Sequence, residues 1–123
     1  MRYIALVSVW LGSWWLWTGP VLANERAIVA AHCQGRSEEP LADRTRVDCL
    51  TERVAWEYDY APKYHEALGQ ALHYGARTDR QPGVILIIKS PRERIYLKRL
   101  RQTIEHFGLS VALSSIEVDD YIH

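Results

Sequence analysis

The chain has 123 residues, and its 15 Lys and Arg offset 15 Asp and Glu to give a formal net charge of zero. That balance excludes a protein that holds nucleic acid through overall basicity; any such affinity has to come from a local patch. The aliphatic and aromatic content suffices for a single core, and no repeat or low-complexity stretch points to a solenoid or a linker array.

Residues 1–23 combine an early Arg2, an apolar run over residues 3–17, a helix-breaking Gly19-Pro20, and Val21-Leu22-Ala23 before the polar Asn24-Glu25-Arg26. This is the pattern of a cleaved secretory signal. The apolar run is shorter than the roughly 20 residues a spanning helix needs; the alternative is an uncleaved anchor. Four of the five Trp lie in this segment and carry no information about the fold. The expected mature chain, residues 24–123, is then one periplasmic or secreted domain with no stable membrane insertion. Its net charge is near −1, since only Arg2 is lost from the 15 basic residues. Export places Cys33 and Cys49 in an oxidising compartment, where an even count favours a disulfide. Two buried thiols are the alternative. A zinc site from His32, Cys33, Cys49 and a later His would lack the usual ligand spacing.

Residues 25–32 favour a helix, with a short strand around Ile28-Val29 as the alternative. Residues 34–44 are polar and read as a loop with room for a helical turn at Glu38-Glu39, and residues 45–50 as a strand with β-branched character. Residues 54–60 alternate: Val54, Trp56, Tyr58 and Tyr60 take one face, and Ala55, Glu57 and Asp59 the other. The two strands are expected to form a hairpin. Pro62 suits a first helical turn; the helix runs to about Ala76 on a core stripe of Tyr64, Leu68, Ala71, Leu72 and Gly75, and Gly69 is read as permitting close helix–sheet packing. Gln81-Pro82-Gly83 reads as a turn, and residues 84–88 as a strand buried on both faces. Ser90-Pro91 reads as an N-cap and first-turn proline. The following helix carries Leu97, Leu100, Ile104 and Phe107 at helical spacing and ends at Gly108. Residues 110–118 form the last strand and residues 119–123 a tail. The order (α)ββαβαβ implies an α/β fold, a mixed central sheet with flanking helices.

The chemistry concentrates in acids. Asp48 and Glu57 sit on adjacent strands, and Asp59 shares the Glu57 face. Converging carboxylates repel unless something cationic lies between them. Asp48, Glu57 and the Tyr58 carbonyl, with Asp59 as a further ligand, suit Mg²⁺ or Mn²⁺. Such an ion can polarise a phosphodiester and activate water. Lys63 and Gln70 lie seven apart on one helical face, which Tyr74 extends; they can orient that water or stabilise developing charge. The rival reading is a solvated strand face with a surface salt bridge. Lys89, Arg92, Arg94, Lys98, Arg99 and Arg101 form the candidate patch for nucleic-acid phosphates; its rival is a solvated helix face partnered by Glu93 and Glu105. His65 and His73 read as surface or hydrogen-bonded histidines.

The order of elements, with Asp48 in RVDCLT, the pair Glu57-Tyr58-Asp59, and Gln70 and Tyr74 in EALGQALHY, resembles the PD-(D/E)XK nuclease superfamily. More closely, RVDCLT followed by E-x-D, Lys63 and G-Q-x-L-x-Y looks like a group of small bacterial and phage proteins thought to carry that core. The resemblance covers residues 36–89. It implies a restriction-endonuclease-like core, an acid opening the second core strand, an E-x-K or D-x-K pair on the third, and Mg²⁺-dependent phosphodiester hydrolysis. It also implies an acid on the preceding helix or loop, matched here to Glu38 or Glu39. Asp59 departs from the pattern, standing where the family places lysine, and Lys63 is placed for a lysine that has moved to the neighbouring helix. The alternative implied by that departure is a catalytically inactive, exported interaction domain on the same fold.

Overall fold

The computed structural model describes residues 24–118; the expected leader and the C-terminal tail lie outside them. The elements are α1 (Glu25–His32), β1 (Arg36–Pro40), β2 (Arg46–Leu50), β3 (Val54–Tyr60), α2 (Tyr64–Thr78), β4 (Gln81–Ile88), α3 (Arg94–His106) and β5 (Ala112–Glu117), with single 3-10 turns at Ala61–Lys63 and Pro91–Glu93. The five strands lie in one mixed sheet in chain order: β1, β2 and β3 antiparallel, then β4 and β5 parallel to β3. This is an α/β fold. Among the described residues no helix is long and apolar enough to cross a membrane.

The expected loop over residues 34–44 contains β1. The strand is an edge strand of charged and polar residues ending in Pro40, so it has no apolar alternation to reveal it. It approaches β2 closely because Gly35 has no side chain; a Cβ there would lie 2.2 Å from the Leu50 carbonyl oxygen. The expected turn at Gln81-Pro82-Gly83 is likewise the start of β4. Gly83 pairs with Trp56 across the parallel ladder, and a Cβ would come within 2.5 Å of the indole and 2.6 Å of the Val54 side chain. Here glycine marks close strand approach rather than a change of direction.

The sheet is covered on both sides. Val84, Leu86 and Ile88 pack with Ala61, Ala67 and Ala71 and with Leu100 and Ile104 of α3. Ile87 of the same strand packs with Tyr58, Cys49 and the two buried α1 residues, Ile28 and Val29. Alternation along β4 puts these clusters on opposite faces, so α1 lies on one side of the sheet and α2 and α3 on the other. A smaller cluster joins Val47, Leu50, Ala55 and Tyr74.

The α2 stripe is rotated from the expected one. Ala67, Ala71, Tyr74 and Gly75 are buried, whereas Leu72 is exposed. The small residues bring the helix against the sheet, which turns the larger leucine outward. Gly69 is not part of that contact: it is exposed with open space at its Cβ position. In α3, Leu100 and Ile104 are buried but Phe107 is 70% exposed, because it lies past the last turn. Gly108 has φ 59° and donates to the Glu105 carbonyl, while Leu109 donates to Ile104, as expected of a glycine-terminated helix. Ser90 makes no side-chain cap; instead the Glu93 carboxylate accepts from the Lys89 N–H at 2.7 Å.

Candidate functional site

The site begins where the sheet ladder breaks. The β2–β3 pairing runs through Leu50–Ala55 and Cys49–Trp56. The next pair in that register would be Asp48 with Glu57, and there the ladder stops. The Asp48 carboxylate takes over, with Oδ2 accepting the Tyr58 N–H at 2.8 Å. On the other side, the β1–β2 register pairs Ser37 with Cys49 and Glu39 with Val47 but skips Glu38 and Asp48. Glu38 lies at φ 52°, in the left-handed region that acidic side chains enter at a cost. Val47 and Cys49, two apart, join clusters on opposite faces of the sheet. Strand β2 therefore turns about Asp48, and β2 and β3 separate on a carboxylate.

Into this gap come three acids. Glu25, Asp48 and Glu57 each present one carboxylate oxygen, and the three oxygens lie within 4.8 Å of one another. Glu57 is buried at 4% exposure, and its Oε2 has no hydrogen-bond partner among the described residues. A buried carboxylate oxygen without a donor is rare and costly, and it calls for a proton or a cation. Burial raises the Glu57 pKa to about 10, with Asp48 repulsion adding to it. Burial also raises Asp48, against the stabilising Tyr58 N–H. Glu25 is pushed up to about 7 by burial and by the charges of Asp59 and Asp48. All three shifts run toward the neutral acid, and positive charge among the carboxylates would oppose them. Oxygen-only donors of this kind suit a hard divalent cation.

The sequence candidates fall into place unevenly. Asp48 and Glu57 are brought together as expected. Asp59 is buried, with Oδ1 accepting the Tyr60 N–H at 2.8 Å, and it is not one of the three converging acids. Its pKa is raised by burial and held back by that N–H and by Lys63. Lys63 ends the 3-10 turn just after β3, is exposed, and has a charge that stabilises both Asp59 and Glu25. Gln70 is exposed on α2, whereas Tyr74 is buried beside the site: burial and the charges of Glu57 and Asp48 push its phenol up to about 12. Of the two acids matched to the preceding segment, Glu39 pairs with Arg36 at 3.4 Å, and Glu38 acts on Asp48 only through its charge. The third acid is Glu25 of α1. Its position in a first helical turn is ordinary for an acid and conceals it.

Cys33 and Cys49 form a disulfide, which is compatible with a secreted protein and rules out these sulfurs as zinc ligands. His73 meets Asp43 at 2.8 Å, beside Arg77 at 3.2 Å, and this tethers the β1–β2 turn to α2. His65 packs on Tyr64 and is exposed. Along the basic segment, Arg92, Lys98, Arg99 and Arg101 are exposed, Arg94 pairs with Glu117 at 2.6 Å, and the Lys89 ammonium lies 4.3 Å from the centre of the Tyr60 ring. A cleft of about 340 Å³ lined by Lys89, Ser90, Arg94 and Glu117 opens at the ends of β4 and β5; none of the three converging acids lines it.

Compared with protein-family models, with curated proteins and with solved structures, the chain matches none.

Proposed function

We propose that this protein is an exported, divalent-cation-dependent phosphodiesterase acting on nucleic acid, built on a restriction-endonuclease-like core. The observation that carries the reading is the convergence of Glu25, Asp48 and Glu57 around a buried, unpartnered carboxylate oxygen. The order of elements supports it as well. With β1 counted, Asp48 lies on the second strand and Glu57 and Asp59 on the third, the positions the resemblance implies.

Glu25, Asp48 and Glu57 are the residues that would hold Mg²⁺ or Mn²⁺. Such an ion supplies charge neutralisation of the phosphodiester and acidification of water. The protein's own groups do the rest. The Tyr58 N–H fixes the Asp48 carboxylate, and Lys63, exposed beside Asp59 and Glu25, can stabilise negative charge developing on a phosphate. Gln70 is the candidate for orienting water. Lys89, Arg92, Arg94, Lys98, Arg99 and Arg101 would attract the polyanion without reading its sequence.

A second reading, a non-catalytic interaction domain, rests on Asp59 standing in the lysine position of the pattern. Plasmid nicking in Mg²⁺ or Mn²⁺, with EDTA and Asp48→Asn as controls, separates the two. The nuclease nicks only with the cation and only with Asp48 intact; the interaction domain gives no nicking under any condition.

A further inference from the structure

We propose that the Cys33–Cys49 disulfide is a positioning crosslink for the acidic centre: it holds the helix that carries Glu25 against the strand that carries Asp48, so the third carboxylate is delivered only in the oxidised protein. The inference rests on reading the three acids as a cation site.

The two cysteines sit at the two places that matter for this geometry. Cys33 is the C-cap of α1, whose first residue is Glu25. Cys49 directly follows Asp48, at the point where the β2–β3 ladder ends. One covalent bond therefore joins the element that bears one acid to the neighbour of another. Helix α1 is the least anchored element of the site. It has 8 residues, too few to be stable alone, and buries only Ile28 and Val29. Its N-terminus carries an acid toward two others, so repulsion acts to push it away once they ionise. Asp48 and Glu57 are held differently: they belong to the sheet, and Asp48 is further fixed by the Tyr58 N–H. Reducing the disulfide breaks the S–S bond, takes up two electrons and two protons from a dithiol reductant, and leaves two thiols. The sheet acids stay, while Glu25 becomes free to leave with its helix. A centre assembled this way would be incomplete in a reducing compartment and complete once oxidised.

The test is Mn²⁺ binding by electron paramagnetic resonance on the full chain, with four proteins compared at one pH: wild type, Cys33→Ser/Cys49→Ser, Glu25→Gln, and the three substitutions together. Far-UV and near-UV circular dichroism report folding. The inference expects the double-serine protein to stay folded and bind Mn²⁺ at least tenfold more weakly. Glu25→Gln should weaken binding comparably with the disulfide present and add nothing once the disulfide is gone. Equal affinity of wild type and double-serine protein overturns the inference, as do losses that simply multiply. A double-serine protein that unfolds also overturns it, because the crosslink is then a general staple. If wild type binds no Mn²⁺, the cation reading itself fails, which is a distinct result from equal binding.

Discussion

The carboxylate of Asp48 accepts the backbone N–H of Tyr58 at 2.8 Å, where a strand-to-strand bond would otherwise continue the ladder. One side chain thus does two things: it satisfies a backbone donor exposed by the parting strands, and it presents its charge to Glu57. The two roles can be separated by mutation. Asp48→Ala leaves the Tyr58 N–H without its acceptor and should cost about 1–3 kcal/mol in urea denaturation. Asp48→Asn keeps an acceptor oxygen and should cost less than about 1 kcal/mol. If the proposed cation site is the catalytic one, both should abolish cation-dependent cleavage, since each removes a carboxylate from it.

Glu57 gives a pH prediction with a definite sign. Its pKa rises from 4.5 to about 10 on folding, so between those values the folded protein holds a proton that the unfolded chain has lost. The associated stability is present below about 4.5 and is lost progressively as pH rises toward about 10. Glu25, raised to about 7, acts in the same direction over the lower part of that window. Metal-free protein should therefore show a stability that falls with rising pH. Glu57→Gln should flatten much of this dependence and stabilise the metal-free protein at about pH 8 by about 1–3 kcal/mol, while abolishing cation binding. Thermal unfolding in EDTA from mildly acidic to mildly alkaline pH checks it; a steeper fall in the glutamine variant would contradict it.

The sequence disclosed the parts of this fold whose side chains obey one period. The alternation from Val54 to Tyr60 located β3 and put Glu57 and Asp59 on one face, and the apolar run ending at Ile88 located the central parallel strand. What it concealed has physical reasons. Strand β1 is a charged edge strand and offers no pattern. Gln81-Pro82-Gly83 has turn composition, but Gly83 is there to admit the Trp56 ring. Glu25 looks like any first-turn acid. A signal for it did exist: the expected Cys33–Cys49 bridge would bring the first helix to the neighbour of Asp48, and with it the one acid that helix contains.

Two glycines should respond in opposite directions. Gly69 lies inside α2 with open space at its Cβ position, so Gly69→Ala should stabilise by about 0.5–1 kcal/mol through helix propensity. Gly83→Ala must displace both the Trp56 ring and the Val54 side chain and should cost about 1–3 kcal/mol. Denaturant midpoints for the two variants suffice.

The basic face should govern affinity for nucleic acid without touching the acids. Reversing Lys98, Arg99 and Arg101 to Glu should weaken DNA binding, measured in EDTA to prevent cleavage. The salt dependence should become shallower by about 0.9 in log–log slope for each phosphate that is no longer neutralised. Mn²⁺ affinity should remain unchanged. If DNA binding and its salt slope are unaltered, this helix face is not where the polyanion lies.

The most direct measurement is anomalous diffraction from a crystal soaked in Mn²⁺. The account predicts one strong peak bonded to carboxylate oxygens of Glu25, Asp48 and Glu57, lost in Asp48→Asn. Saturating Mn²⁺ in the soak with no peak among these three side chains would contradict it.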